Sequence, residues 1–151
     1  MEGRVLGSLR ILPSLGPTMF RDVFPEIFAQ SSLPAADDIM EVSRFCVDSD
    51  AVLRSKAVIT PNAVTRTLLE ALSICMTKQK VRTLIGVHDL MMERILRTCG
   101  WQARRIGQPI CTDTGLTTVA SAFDVPTNLG MQPSSMKDGL SDKLPPSTTH
   151  S

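Results

Sequence analysis

From Val64 to Met76 the apolar residues Val64, Leu68, Ala71, Leu72, Cys75 and Met76 recur at intervals of three and four, the spacing of one face of an amphipathic helix. The stripe predicts a helix over residues 61–79. Thr60 serves as its N-cap and Pro61 takes the first helical position, where a missing N–H costs nothing. The flanking segments Ile39–Val47 and Val81–Val87 are short, apolar and strand-like. After the second of them, Asp89 caps a further helix with Met92, Ile95, Leu96 and Cys99 on its inner face and Gly100 as its stop. Met91 and Met92 both read as core.

The remaining segments fit the same layout. Arg4 to Leu12 reads as a strand stopped by Pro13, and Pro13 to Pro17 is turn chemistry. Met19, Phe20, Val23 and Phe24 form a short amphipathic piece ending before Pro25. Ser31 to Asp38 is a polar connector, and Asp48 to Lys56 is expected to be polar loop. Trp101 to Ile110 and Leu116 to Phe123 read as two further strands. The order strand, helix, strand, helix, strand, strand predicts an α/β domain with a sheet covered by helices. It occupies residues 1–125, and residues 126–151 are too polar and proline-rich to offset chain entropy, so a disordered tail is expected there.

Composition narrows the function classes. Sixteen basic and fifteen acidic side chains give a formal charge of +1, which offers no global reason for nucleic acid or an anionic membrane as partner. No apolar run reaches the roughly eighteen residues of a membrane span, and the N-terminus lacks a secretory h-region. A cytoplasmic protein is expected. Cys46, Cys75, Cys99 and Cys111 lie far apart with only two histidines in the chain, which argues against a zinc site and for free, buried thiols.

The segment Met40-Glu41-Val42-Ser43-Arg44-Phe45-Cys46-Val47 is unusual, because it sets Glu, Ser and Arg within four positions of an apolar strand. A buried charge is costly unless it is paired. Strict alternation puts Glu41, Ser43, Phe45 and Val47 on one face and Met40, Val42, Arg44 and Cys46 on the other, unless a bulge intervenes. Three readings satisfy the spacing: an edge strand with one solvated face, a simple Glu–Arg pair, or a carboxylate in a cleft that takes a proton from an attacking amine. In the third, partial desolvation would suit the carboxylate to act as general base near neutral pH. Spacing does not choose among them.

Gly7-Ser8-Leu9-Arg10-Ile11-Leu12-Pro13, Gly16-Pro17-Thr18-Met19, Val23-Phe24-Pro25-Glu26 and the Glu-x-Ser-Arg-Phe of residues 41–45 resemble the central block of the LuxI-type autoinducer synthases, the acyl-homoserine-lactone synthases. Glu93-Arg94-Ile95-Leu96, Gly100-Trp101 and Arg104-Arg105-Ile106-Gly107 are similar to the rhizobial branch of that family. The similarity covers roughly residues 3–125, with the motifs in order and at compatible spacing.

The resemblance implies a GCN5-like N-acyltransferase-type fold, a mixed sheet flanked by helices. It implies transfer of an acyl group from acyl carrier protein to the amine of S-adenosylmethionine. Lactone closure and release of methylthioadenosine would follow, making a quorum-sensing signal. S-adenosylmethionine enters as substrate, and no cofactor or metal is implied. By the same resemblance Glu41 matches the general base and Ser43 its active-site neighbour. Arg10, Arg44 and Phe45 match substrate-binding positions, and Gly86 and His88 lie where the acyl pocket is expected. A lone histidine such as His88 is more often a hydrogen-bonded structural residue. Direct attack on a thioester needs no covalent intermediate, in keeping with a sequence that shows no Ser–His or Cys–His pairing. Arg94, Arg97, Arg104 and Arg105, with Lys78, Lys80 and Arg82, either steer an acidic carrier protein or form a solvated face.

Family members carry a further N-terminal part whose Arg, Phe, Trp and acidic cluster closes over adenosylmethionine. The resemblance therefore implies a chain lacking that part, with its first strand left as an open edge. This keeps a second reading in view, a catalytically inactive remnant that binds acyl carrier protein or a full-length synthase. An ordinary acetyl-CoA-dependent N-acetyltransferase is disfavoured, because Asp50 to Asn62 contains no glycine for a pyrophosphate-cradling turn.

Overall fold

A computed structural model describes residues 3–26, 35–54 and 61–127. The elements, in chain order, are β1 (Gly7–Pro13), α1 (Met19–Asp22), β2 (Ile39–Val47), α2 (Ser49–Arg54), α3 (Pro61–Lys78), β3 (Thr83–Asp89), α4 (Leu90–Thr98), β4 (Ala103–Arg105), β5 (Ile110–Cys111) and β6 (Thr117–Asp124). The strands form one six-stranded mixed sheet in the order β1-β2-β3-β6-β4, with β5 also paired to β6. Only β2 and β3 run parallel, and α2 and α3 lie in the crossover between them. The α/β layout expected from the sequence is the one observed.

Several local expectations change. Ser49–Arg54 of the expected loop is helical, because the Asp48 carboxylate accepts the N–H of Ala51 at 2.8 Å and the turn buries Ala51 and Val52. The expected single strand from Trp101 to Ile110 is two short strands, β4 and β5, both laid against β6. Ile95 is 37% exposed and Met91 72% exposed, so neither belongs to the inner face of α4; Met92 and Leu96 do. The four cysteines are free, but Cys46 and Cys111 are exposed rather than buried. The Thr60 cap, residues 31–34 of the polar connector and the tail from residue 128 lie outside the described residues.

Both long helices stop in the same way. At the end of α3 the N–H of Lys80 bonds the carbonyl of Thr77, and that of Val81 bonds the carbonyl of Met76. At the end of α4 Gly100 bonds Arg97, and Trp101 bonds Leu96. These are Schellman motifs, and each needs a left-handed residue at its turn: Lys80 has φ +60° and Gly100 has φ +87°. In each, the residue after the turn is driven into the core; Val81 and Trp101 are both buried. The Asp89 cap is formed, its carboxylate accepting the N–H of Met92 at 2.7 Å.

The sheet carries a core on each face. Leu69, Leu72 and Met76 of α3 and Leu96 of α4 pack on Leu84, Trp101 and Phe123, with Met40, Val42 and Phe45 joining from β2. The thinner core on the opposite face gathers Phe20 of α1 with Ile39, Ile85, Ala120 and Ala122.

Candidate active site

Strand β2 does not alternate throughout. Ser8 stands opposite Cys46 while Arg10 stands opposite Ser43, so β2 holds one residue more than β1 across this interval. The extra residue forms a bulge, and Arg44 within it has φ +53°. Alternation restarts after it with the faces exchanged. Glu41 looks towards α1, with Ser43 on the same face by alternation, whereas Phe45 joins Met40 and Val42 under the helices. The expected sharing of one face by Glu41, Ser43 and Phe45 is thus corrected. The bulge also leaves Arg44 exposed at the rim.

The parallel pairing of β2 with β3 runs from Ile39↔Thr83 to Glu41↔Ile85 and stops there, although the strands continue to Val47 and Asp89. Beyond Glu41 the two strands no longer bond each other, and a cleft opens at their carboxyl ends, where open α/β sheets bind ligands. A narrow pocket of about 80 Å³ lies at this splay. Ser43, Arg44, Phe45, Gly86 and His88 border it, and its depth is lined by side chains of α3, α4 and β6 together with Trp101.

Gly86 keeps the cleft narrow at its root. A Cβ there would stand 3.1 Å from the carbonyl oxygen of Val42 and 3.7 Å from the Phe123 ring. His88 is fixed on both sides, with Nδ1 at 2.9 Å from the Asp89 carbonyl and Nε2 at 3.0 Å from the Ser121 hydroxyl. A carbonyl only accepts, so Nδ1 carries a hydrogen, and in the neutral ring Nε2 accepts from Ser121. The ring also tilts against Phe123 at 5.6 Å. A Ser–His pair therefore exists where none was legible. Ser121 is fully buried and does not line the pocket, so it orients the imidazole rather than meeting a ligand.

On the α1 side the carboxylate of Glu41 is 1% exposed. It accepts the backbone N–H of Met19 at 3.0 Å and of Phe20 at 2.8 Å. Neither a solvated strand face nor a Glu–Arg pair describes it. Both its partners are orphan donors of the first turn of α1, whose N-cap is Thr18. Each carboxylate oxygen keeps a lone pair beyond these bonds. Beside it, Arg10 Nε donates to the Ser43 hydroxyl at 3.1 Å. The expected site residues thus form two groups. Glu41, Ser43 and Arg10 lie on one face of the sheet, Phe45, Gly86 and His88 on the other, and the splay lies between them.

The basic residues separate as well. Arg97 and Arg105 both bond the buried carboxylate of Glu93, at 3.1 and 3.0 Å. Arg104 pairs with Asp124 at 2.9 Å, and Arg82 with Asp38. Arg94, Lys78 and Lys80 are exposed. Trp101 and Ser121 were not legible as site residues. For Trp101 the available signal was its place one residue past Gly100 and five past Leu96, the spacing of a Schellman contact.

Comparison with known proteins places these features. Residues 1–128 match the family model described as autoinducer synthase. The acyl-homoserine-lactone synthase of Agrobacterium fabrum is 35% identical over 127 residues, covering 84% of this chain and 58% of that protein. The chain thus spans little more than half the length of that curated relative. The solved structure of the AHL synthase LasI superposes with a TM-score of 0.71 at 26% identity, covering 83% of this chain and 61% of LasI. BjaI, solved as a CoA-dependent acyl-homoserine lactone synthase with SAM and isopentyl-CoA, gives 0.71 at 24% identity over 85% of this chain and 57% of BjaI, a likeness of fold alone. The GCN5-like fold expected from the motifs is the fold found, and with its matched motifs lying on both sides of the splay the chain belongs to the autoinducer synthase family.

Proposed function

We propose that this chain carries the acyl-transfer centre of an acyl-homoserine-lactone synthase in the cytoplasm. The observation that carries the reading is the splay itself, with a polar group on one face of the sheet and an apolar pocket on the other. The acyl chain is assigned to the apolar pocket under α3 and α4, with its thioester carbon between β2 and β3. The amine of S-adenosylmethionine approaches from the side of Arg10, Ser43 and Glu41. Backbone groups on the facing strand edges are donors for the oxygen that gains charge as the amine adds. The N–C bond forms, the C–S bond breaks, and Glu41 takes the amine proton, which leaves with the departing thiol. Lactone closure with loss of methylthioadenosine completes the product.

Acyl carrier protein is the proposed donor. Arg94, Lys78 and Lys80 offer exposed positive charge to an acidic carrier, whereas Arg97, Arg104 and Arg105 already hold carboxylates of this chain. The test supplies S-adenosylmethionine with an acyl-carrier thioester or the matching acyl-CoA and follows lactone and methylthioadenosine by mass spectrometry. Both products are expected, more with the carrier, with a rate that falls as salt rises and falls further in Arg94→Glu. Equal turnover of the CoA ester, indifferent to salt, overturns the carrier assignment.

A second reading is favoured by the two backbone N–H bonds of Glu41. Here the chain is a non-catalytic partner that binds the carrier protein or a full-length synthase, and Glu41 only anchors α1. Carrier binding without any lactone from folded protein is the outcome that supports it.

A further inference from the structure

Trp101 is 1% exposed and forms part of the wall of the acyl pocket. Its indole Nε1 is a donor only. Among the described residues it is the buried side-chain polar atom left without a hydrogen-bond partner. An unmade bond of this kind lowers stability, and folded proteins keep few of them. A phenylalanine or leucine would fill a core position here without that cost. The other polar side chains bordering the pocket away from its exposed rim are engaged: both ring nitrogens of His88 are in contact, and Ser43 accepts from Arg10. The surrounding wall is hydrocarbon and aromatic, from Leu69, Leu72, Met92, Leu96 and Phe123. An apolar pocket with a buried, uncommitted donor in its wall is matched by an apolar ligand with an acceptor on it. Nε1 is shut off from solvent, so its partner arrives with an occupant that parts the lining rather than as bulk water.

We propose that Trp101 is a specificity-determining residue for an oxygen-bearing acyl chain, donating its indole N–H to an oxo or hydroxyl group on the chain. The inference rests on the acyl-pocket reading above and goes beyond it by naming the kind of chain. A site with a buried donor favours the ligand that pairs it over the analogue that leaves it unpaired.

The test is calorimetric titration of the full chain with octanoyl-pantetheine and with its β-oxo, β-hydroxy and terminal-hydroxy forms. At least one oxygenated form is expected to bind about tenfold tighter than the plain chain. Trp101→Phe is expected to erase that advantage, so that the oxygenated and plain chains bind this variant alike. Trp101 is the only tryptophan and the chain has no tyrosine, so emission from the unmodified protein reports on this ring. A red shift is expected with the preferred form and none with the plain chain, a readout that stands even if the variant does not fold. Plain and oxygenated chains binding alike, or a preference that survives Trp101→Phe, overturns the assignment of Trp101. Failure of every chain to bind overturns the acyl-pocket reading itself and the assignment with it.

Discussion

The carboxylate of Glu41 on β2 accepts the backbone N–H of Phe20 at 2.8 Å, so the acid at the root of the splay also fixes the first turn of α1. Phe20 in turn is the bulkiest member of the core on that face of the sheet. One side chain thus couples the candidate chemistry to the packing of a short helix that four residues alone would not hold.

The two roles of Glu41 separate in Glu41→Gln. An amide keeps one oxygen as acceptor but turns an NH₂ towards the other backbone N–H. A loss of about 1–3 kcal/mol of stability is therefore expected by urea denaturation. If Glu41 is also the base, lactone formation falls by about a hundred-fold or more in protein that remains folded at the assay temperature. Turnover unchanged in folded protein removes Glu41 from the proton transfer and leaves it as the anchor of α1.

The sequence pattern carried the layers and most elements because those follow from local periodicity. Ile39–Val47 is a strand with the expected bounds, and the α3 stripe buries Leu72 and Met76 as its spacing requires, although Ala71 is exposed and Leu69, outside the stripe, is buried beside them. The bulge at Arg44 was illegible because it depends on the register of β1 against β2, and one extra residue exchanges the faces of everything after it. The polar composition of residues 48–54 hid the two buried positions Ala51 and Val52. Of the site, residue types were legible through the family motifs. Their division between two faces, and the Ser121–His88 contact over 33 positions of sequence, are tertiary facts.

Lys80 occupies a left-handed position that L side chains resist, at φ +60°. Lys80→Gly relieves that cost but adds chain entropy to the unfolded state, for a net gain of about 0.5–1 kcal/mol in urea denaturation. Gly100→Ala, at the matching turn of α4, is expected to lose about 1 kcal/mol or more. Opposite signs at two similar turns would tie both effects to backbone conformation, and equal signs would refute that origin.

Gly86 controls the root of the cleft. Its Cβ position already meets the Val42 carbonyl at 3.1 Å, and that backbone atom has little freedom to retreat. Gly86→Val is expected to cost about 1–3 kcal/mol of stability through overpacking. It should also weaken binding of long acyl-pantetheines more than short ones, because the added methyls stand at the pocket wall. Titration of hexanoyl against dodecanoyl pantetheine reads the difference, and an unchanged ratio would place the chain elsewhere.

Glu93 joins α4 to β4 by accepting from Arg97 and Arg105, and the three groups differ in burial. Its carboxylate is buried, whereas Arg97 is largely and Arg105 about half open to water. Removing the acid leaves two guanidinium groups that solvent hydrates at little cost, so Glu93→Leu is expected to lose about 1 kcal/mol or less. Removing both bases strands a carboxylate in the protein, which is expected to cost about 2–4 kcal/mol in Arg97→Leu with Arg105→Leu. Adding Glu93→Leu to that double variant should then recover most of the loss. The order of the three urea midpoints decides the matter. A Glu93→Leu protein weaker than the double arginine variant would show that the network acts through charge steering on the surface rather than through burial of the acid.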